Sequence, residues 1–265
     1  AAAPDSAQIK PSKRRKVLVW GHSWTHVPNP YAEKALEIIG RKTGAFEAVI
    51  SDDPRLLLGD RLPRFDALVM NNIHEREPFL PEDFAQLEGE RKTAAQEFDE
   101  AVKQSILEYA RSGKGIVGIH AATAALQDWP EYGDMMGGYY GGHINQEVII
   151  KPDDPAHPVN ACFNAKPFAI KDEIYISREP YSRASLRVIA SLDLSAMEDP
   201  QKRADKDYAV SWVRAYGDGR VFYTTLGHEP ATYWNPVFLK HLLAGIQFAI
   251  GDIEGETDPI ALPGI

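Results

Sequence analysis

The sequence predicts an α/β fold: a central, mainly parallel sheet flanked by helices, with a more antiparallel C-terminal half. Three observations carry this. Short apolar runs at 16–20, 65–70 and 114–119 alternate with amphipathic helical stretches, the βαβ pattern of a parallel sheet. Beyond Leu126, strand-like runs follow one another with only turns between them. The 265-residue chain is long enough to bury one elaborated core, and it carries neither internal repeats nor a low-complexity linker.

Taken in order, residues 1–15 read as a flexible lead-in whose basic cluster Lys13, Arg14, Arg15, Lys16 is solvated. Residues 16–252 read as one α/β domain and 253–265 as a loose tail with Pro259 and Pro263. The first strand, 16–20, ends at a turn containing His22, Trp24 and His26, and Pro28 and Pro30 lead into a helix over 31–43. Ala32, Ala35, Leu36 and Ile39 form its apolar stripe. Residues 46–50 give a second strand and 65–70 a third, which runs into His74. The stretch 81–111 favours helix, with Phe98, Val102, Ile106, Leu107 and Tyr109 at helical spacing and Gly113 at its end.

Residues 114–126 are the stretch around which the chain is organised. A glycine-punctuated apolar strand turns at His120 into an alanine-rich segment with high helix propensity. In an open α/β sheet, ligands bind outside the carboxyl ends of the strands, where His120 stands. Residues 137–143 are too glycine-rich for regular structure and lack the strand-first context of a dinucleotide loop. Strands are expected at 146–151, 173–177, 187–191, 208–215 and 220–226, with a hairpin turn at Gly217, Asp218 and Gly219, and a closing helix at 236–250.

Composition excludes several functions. A net charge of -9 with no basic block argues against a nucleic-acid partner. No apolar run reaches the length of a membrane span. A single cysteine, Cys162, excludes an intrachain disulfide framework. The start Ala1-Ala2-Ala3-Pro4 reads either as a mature terminus left by signal-peptide removal or as an engineered start. It points to a periplasmic or secreted location, with a cytoplasmic one as the alternative. Homo-oligomerisation is left open.

The site expectation is positional. His22, His74, His120 and His228 each follow a predicted strand by a few residues, on one edge of one sheet. Imidazoles there suit acid-base work near neutral pH or a metal, and a divalent ion such as zinc is expected on a subset of His26, His120, His143 and His228. Each post-strand histidine also reads as a turn residue bonded to backbone, whereas His157 and His241 read as structural. Glu173 and Glu229 are the carboxylates placed to orient an imidazole or accept a proton, and with His120 and His228 they form the expected catalytic set. Trp24, Trp129, Tyr139, Tyr140 and Trp234 lie in nearby loops and offer aromatic faces to a sugar, with loop plugs as the alternative. With His22, His74 and His143 they form the expected substrate-binding set. No nucleophile elbow of the Gly-x-Ser-x-Gly type is present.

Gly115-Ile116-Val117-Gly118-Ile119-His120-Ala121-Ala122, Gly141-Gly142-His143, His157-Pro158, Asp172-Glu173-Ile174-Tyr175 and the run from Gly219 through Thr225 to His228 stand in the order typical of ThuA-like (trehalose utilisation) proteins. The resemblance covers about 16–252. It implies a flavodoxin-like fold similar to class I glutamine amidotransferases, with His120 where those enzymes place a cysteine, so glutaminase chemistry has no nucleophile. It further implies action on a 3-keto-sugar or 3-keto-glycoside, by proton abstraction beside the ketone leading to isomerisation or glycoside cleavage. A non-catalytic carbohydrate- or partner-binding domain and a metal-dependent hydrolase of another small substrate are the alternatives.

Overall fold

The computed structural model describes residues 2–22 and 26–260. Among these, nine strands form one sheet in the order β2-β1-β3-β4-β9-β8-β7-β5-β6. The strands are β1 (Lys16–Trp20), β2 (Glu47–Ser51), β3 (Ala67–Asn71), β4 (Gly115–Ile119), β5 (Tyr139–Pro152), β6 (Phe168–Arg178), β7 (Arg187–Leu192), β8 (Ala209–Tyr216) and β9 (Gly219–Thr224). The first five in spatial order are parallel, and every pairing from β9 outward to β6 is antiparallel. The predicted mixture of a parallel half and an antiparallel half is thus the observed one. The order reverses at β1, with β2 on one side and β3 on the other, which is the switch point of a flavodoxin-like sheet.

Period-two burial explains the layers. Val17 and Val19 face α1 (Asn29–Thr43) and α4 (Pro236–Ala249), packing with Leu36, Ile39, Phe238, Leu242 and Ile246. Leu18 and Trp20 face α2 (Gly89–Arg111) and α3 (Pro130–Met136), packing with Val102, Ile106, Tyr132 and Met136. With both faces covered, the parallel strands read as continuous apolar runs.

Three expectations are corrected. The alanine-rich segment after His120 is not an α-helix: a 3₁₀ turn, His120–Thr123, follows the strand, and the next α-helix starts at Pro130. Leu126 takes a left-handed φ of 53°, and Tyr132 Oη donates to Ala122 O, so the turn is pinned before a helix can propagate. The glycine-rich stretch is regular after all, because β5 begins at Tyr139 and absorbs Gly141 and Gly142 in a register irregularity between Tyr140 and His143. The charged stretch from 81 becomes helical only from Gly89, after a 3₁₀ turn over Phe84–Gln86.

Both termini run along the domain. Gln247 accepts from Gln8 N and donates to Ile9 O, while Arg15 pairs with Asp66 and Asp252. At the other end Ile253 is buried in the core, and Arg187 donates to Asp258 O.

Candidate active site

The segments that follow β1, β3, β4 and β9 bring the rings of His26, His74, His120 and His228 together. His120 follows β4 in a left-handed conformation, φ 44°, which is strained for a residue with a Cβ and recurs at sites where backbone geometry aims a side chain. Its surroundings hold it there. Tyr223 Oη, fully buried, donates to His120 O at 2.7 Å and bonds Thr123 Oγ1 at 2.8 Å. Gly118 leaves room for the buried Tyr223 ring, whose Cδ2 a Cβ there would meet at 2.8 Å, and for Met136 Cε.

The His120 ring is wholly buried, and its Nδ1 lies 2.6 Å from Thr225 O. A carbonyl only accepts, so Nδ1 carries the proton and Nε2 presents a lone pair. That Nε2 has no hydrogen-bond partner and faces Glu173 Oε1 at 3.6 Å. Two acceptors aimed at one another are stable when a positive species stands with them, either a proton on the ring or a metal ion.

His26 and His228 complete the centre. The His26 ring stacks at 5.9 Å on His120 and lies 5.2 Å from His228, and His120 lies 5.1 Å from His228. One ring nitrogen from each of the three falls within 4.8 Å of the others. His26 Nδ1 and His228 Nδ1, like His120 Nε2, are buried without a hydrogen-bond partner. Zinc-bound nitrogens at 2.0–2.1 Å stand roughly 3.3 Å apart in a tetrahedron, so ring rotations suffice to bring such a set onto one ion. Burial, and then the like charges of His120, His74 and His228, push His26 down to about 4, which leaves a neutral imidazole, the form that binds metal. The residues fit a divalent cation.

Glu173 lies between two imidazoles, with Oε2 at 3.6 Å from His143 Nε2. Burial works to raise its carboxyl; the rings of His120, His228 and His143 outweigh it and hold the group below its ordinary range. Tyr140 Oη lies 2.7 Å from His143 Nδ1. With a carboxylate facing Nε2, the proton belongs on Nε2, and Tyr140 donates to Nδ1. Tyr175, two residues along β6 and therefore on the same strand face as Glu173, packs its ring 4.1 Å from His120.

Asp172 is the residue that sequence reasoning passed over. Fully buried, its carboxylate accepts from Glu173 N (2.9 Å), His228 N (3.1 Å), Glu229 N (2.8 Å) and Gly227 N (2.8 Å). Burial pushes this carboxyl above its ordinary range, and the N–H donors pull against the rise. One side chain thus fixes the backbone of both Glu173 and the segment carrying His228 and Glu229. Its signal in the sequence was its adjacency to Glu173.

The other expected residues are distributed as follows. His74 is exposed, with its ring 5.2 Å from His26. His22 sits on the far side of Glu75, at 3.2 Å from Oε1, which holds its pKa above the ordinary value against burial; it does not enter the three-histidine set. Glu229 Oε1 is 3.6 Å from His228 Nδ1 and about one-third exposed. Trp129 and Tyr139 are core residues rather than crevice walls: Trp129 stacks on Tyr132, and Tyr139 Oη, bonded to Leu126 O, Trp129 O and Gly133 N, closes the loop below. Trp234 is exposed at the rim. Trp24 lies outside the described residues. His241 is structural, bonded to Ser211 Oγ and Val159 O, and His157 caps a 3₁₀ turn. Burial pushes the Cys162 thiol up to about 12. Among the described residues no helix is long and apolar enough to cross a membrane.

Comparison with known proteins adds a family. The ThuA profile, described as trehalose utilisation, matches residues 16–249. Similar solved structures include a ThuA-like protein from Bacteroides uniformis ATCC 8492, 18% identical, covering 89% of this chain and 91% of that one with a TM-score of 0.68. Another is a ThuA-like protein from Parabacteroides merdae ATCC 43184, at 19% identity, 90% and 91% coverage and a TM-score of 0.63. A cytoplasmic protein from Salmonella typhimurium LT2 follows at 13% identity, 87% and 99% coverage and 0.58. At such identities the likeness concerns the fold. No curated protein matches the chain.

Proposed function

This chain belongs to the ThuA family, and we propose that it is an enzyme of sugar catabolism that removes the proton beside the carbonyl of a 3-keto-sugar or 3-keto-glycoside. The observation that carries the reading is the meeting of the buried His120 imidazole with the half-buried rings of His26 and His228, with the Glu173 carboxylate at 3.6 Å from His120. A ketone at C3 acidifies the C2 hydrogen, and a base plus an electrophile at the carbonyl oxygen are what its removal needs. Glu173, held ionised at neutral pH, is the base. A divalent metal, with zinc the first choice, would be held by His26, His120 and His228 and would supply a Lewis acid for the developing oxyanion.

The remaining roles follow from position. His143, oriented by Tyr140 and half exposed, faces Glu173 from the open side and donates to substrate hydroxyls. Reprotonation on the other carbon isomerises the sugar. Where C1 carries a glycosidic oxygen, the electron pair released from C2–H expels it instead, and the Glu173 carboxyl, which then carries the C2 proton, returns it to the departing oxygen, with Glu229 beside His228 orienting that imidazole.

The test is incubation with a 3-keto-glucoside in deuterated buffer, read by mass spectrometry. Deuterium enters at C2, and Glu173→Gln or His120→Ala slows its entry by orders of magnitude. Absence of exchange, isomerisation and cleavage across a panel of keto-sugars with zinc-loaded intact protein would overturn the reading. Saturable sugar binding without turnover would then mark a binding domain, and hydrolysis of an unoxidised substrate a metal-dependent hydrolase.

A further inference from the structure

Among the described residues, five large apolar side chains stand open to solvent: Ile9, Val27, Tyr31, Ile50 and Trp234. Three of these, Val27, Tyr31 and Trp234, come from the two short segments that deliver His26 and His228 to the centre. Trp234 is 60% exposed and Tyr31 41%, and their rings meet at 5.6 Å with a tilt of 59°. The tilt keeps the pair from closing face to face, and the exposure leaves ring surface turned to solvent.

The pair is mounted rigidly. Tyr233, the residue before Trp234, is buried; its hydroxyl donates to Gly227 O at 3.0 Å and accepts from Asn72 Nδ2 at 3.2 Å, so it is tied to the ends of β9 and β3. Asn235, the residue after it, caps α4 by accepting from Val237 N and Phe238 N. Tyr31 sits in the first turn of α1, just behind Pro28 and Pro30. An exposed indole held between two anchors loses little conformational freedom on binding, which is the economy of a preformed subsite.

We propose that the Tyr31–Trp234 pair is the subsite for the second sugar ring of a disaccharide, receiving its apolar C–H face while the first ring occupies the histidine centre. This rests on the functional reading above and adds the two residues that would set a preference for a two-ring over a one-ring glycoside. Size selects the occupant: two aromatic rings match one pyranose face, whereas a stable protein interface needs about 800 Å² per partner from 20–30 residues. Glu229, a few residues ahead of Trp234 in sequence and about one-third exposed, is a polar group available to the hydroxyls.

The probe is α,α-trehalose, a non-reducing glucose disaccharide that binds without any proton abstraction, compared with the one-ring methyl α-glucoside. Both are titrated into the full chain and followed by tryptophan fluorescence and calorimetry. Trp20, Trp129 and Trp212 are buried and Trp24 is common to all the proteins compared, so the part of a sugar-induced change in acrylamide quenching that Trp234→Ala removes reports on Trp234. Trp234→Ala is expected to weaken trehalose binding by up to about tenfold, the scale of an aromatic contact, and Trp234→Phe to restore most of it. The affinity for methyl α-glucoside stays the same in all three proteins. Equal trehalose affinity in Trp234→Ala, or no trehalose binding by the intact protein, overturns the proposal. So does a concentration-dependent dimer in sedimentation that Trp234→Ala dissolves while trehalose affinity is unmoved, since the pair would then join two copies. Loss of trehalose binding in Trp234→Ala alongside absent deuterium exchange in the intact protein leaves the subsite standing and removes the reaction; normal exchange with an untouched Trp234→Ala phenotype does the reverse.

Discussion

Zinc added to chelator-stripped protein should raise its melting temperature, and the size of the rise can be worked out. A ligand that binds only the folded state stabilises it by RT ln(1 + [L]/Kd), about 2.7 kcal/mol at a hundredfold excess over Kd. For a chain of this length each kcal/mol moves Tm by roughly 2–4 °C, so the expected shift is about 5–10 °C. Nothing has to be deprotonated at His26, whose pKa of about 4 leaves it neutral at pH 7. Removing one of three ligands weakens binding by at least about a hundredfold, more than an outer-shell partner does, and at the same zinc concentration the term falls to about 0.4 kcal/mol, or roughly 1 °C. His26→Ala and His228→Ala should therefore lose the shift. His143→Ala should keep it, because His143 faces Glu173 and is not among the three converging rings. Differential scanning fluorimetry at pH 7.5, with calcium as the oxygen-seeking control ion, separates these outcomes. A full shift in both His26→Ala and His228→Ala, or none in the intact protein, would refute the assignment of the centre.

Two further outcomes are expected from buried groups. Asp172→Ala leaves four backbone N–H groups without an acceptor and should cost about 3 kcal/mol or more in urea unfolding, while also reducing the zinc shift through the freed His228 segment; a cost below about 1 kcal/mol would remove Asp172 from its positioning role. His241, fully buried, is pushed down to about 4 by burial first, with the bond to Val159 O opposing. Its folded pKa lies below the unfolded value of about 6.5, so its contribution is intact above pH 6.5 and is lost as pH falls from there through about 4, an amount of roughly 3 kcal/mol. Urea midpoints taken from pH 7 to pH 4 should fall less steeply in His241→Gln, although His26 and His157, both also lowered, keep part of the slope; parallel curves for the two proteins would contradict this.

Much of the fold was legible because burial on both faces turns parallel strands into apolar runs, and 16–20, 65–70 and 114–119 read as strands on that ground alone. The segment after His120 misled through propensity: alanine favours helix, but the Tyr132 and Tyr223 hydroxyls take the turn's carbonyls, and those partners are 10 and 103 residues away in sequence. The glycines at 141 and 142 misled in the opposite sense, since pairing along the long β5–β6 arm outweighs their weak strand preference. In the site, strand-end histidines were findable from position alone. Which of them converge was not, because Glu75, more than fifty residues along the chain, claims His22. Trp129 and Tyr139 show the same limit: an aromatic in a loop reads alike whether it lines a crevice or plugs the core.

The carboxylates explain why the antiparallel half belongs to the site at all. Glu173 lies in β6, at the far edge of the sheet from β2 and separated from β4 in spatial order by β9, β8, β7 and β5. A flat sheet would keep it many strand spacings, each about 4.8 Å, away from His120. It stands 3.6 Å away, so the β5–β6 arm curls back over the carboxyl ends of the parallel strands. The Asp172 carboxylate fastens that curl to the segment 227–229, and the irregularity in β5 between Tyr140 and His143 gives the arm its local bend. The parallel half therefore supplies the imidazoles and the folded-over arm supplies the Glu173 carboxylate, with its neighbours Tyr175 and His143. Loosening the arm should uncouple the two: Asp172→Asn, which keeps an acceptor on one oxygen but sets an amide donor against Gly227 N or the N–H groups of 173, 228 and 229, should impair deuterium exchange more than it impairs zinc binding by His26 and His120. Exchange and zinc affinity falling in equal proportion would mean that Asp172 serves the metal centre alone.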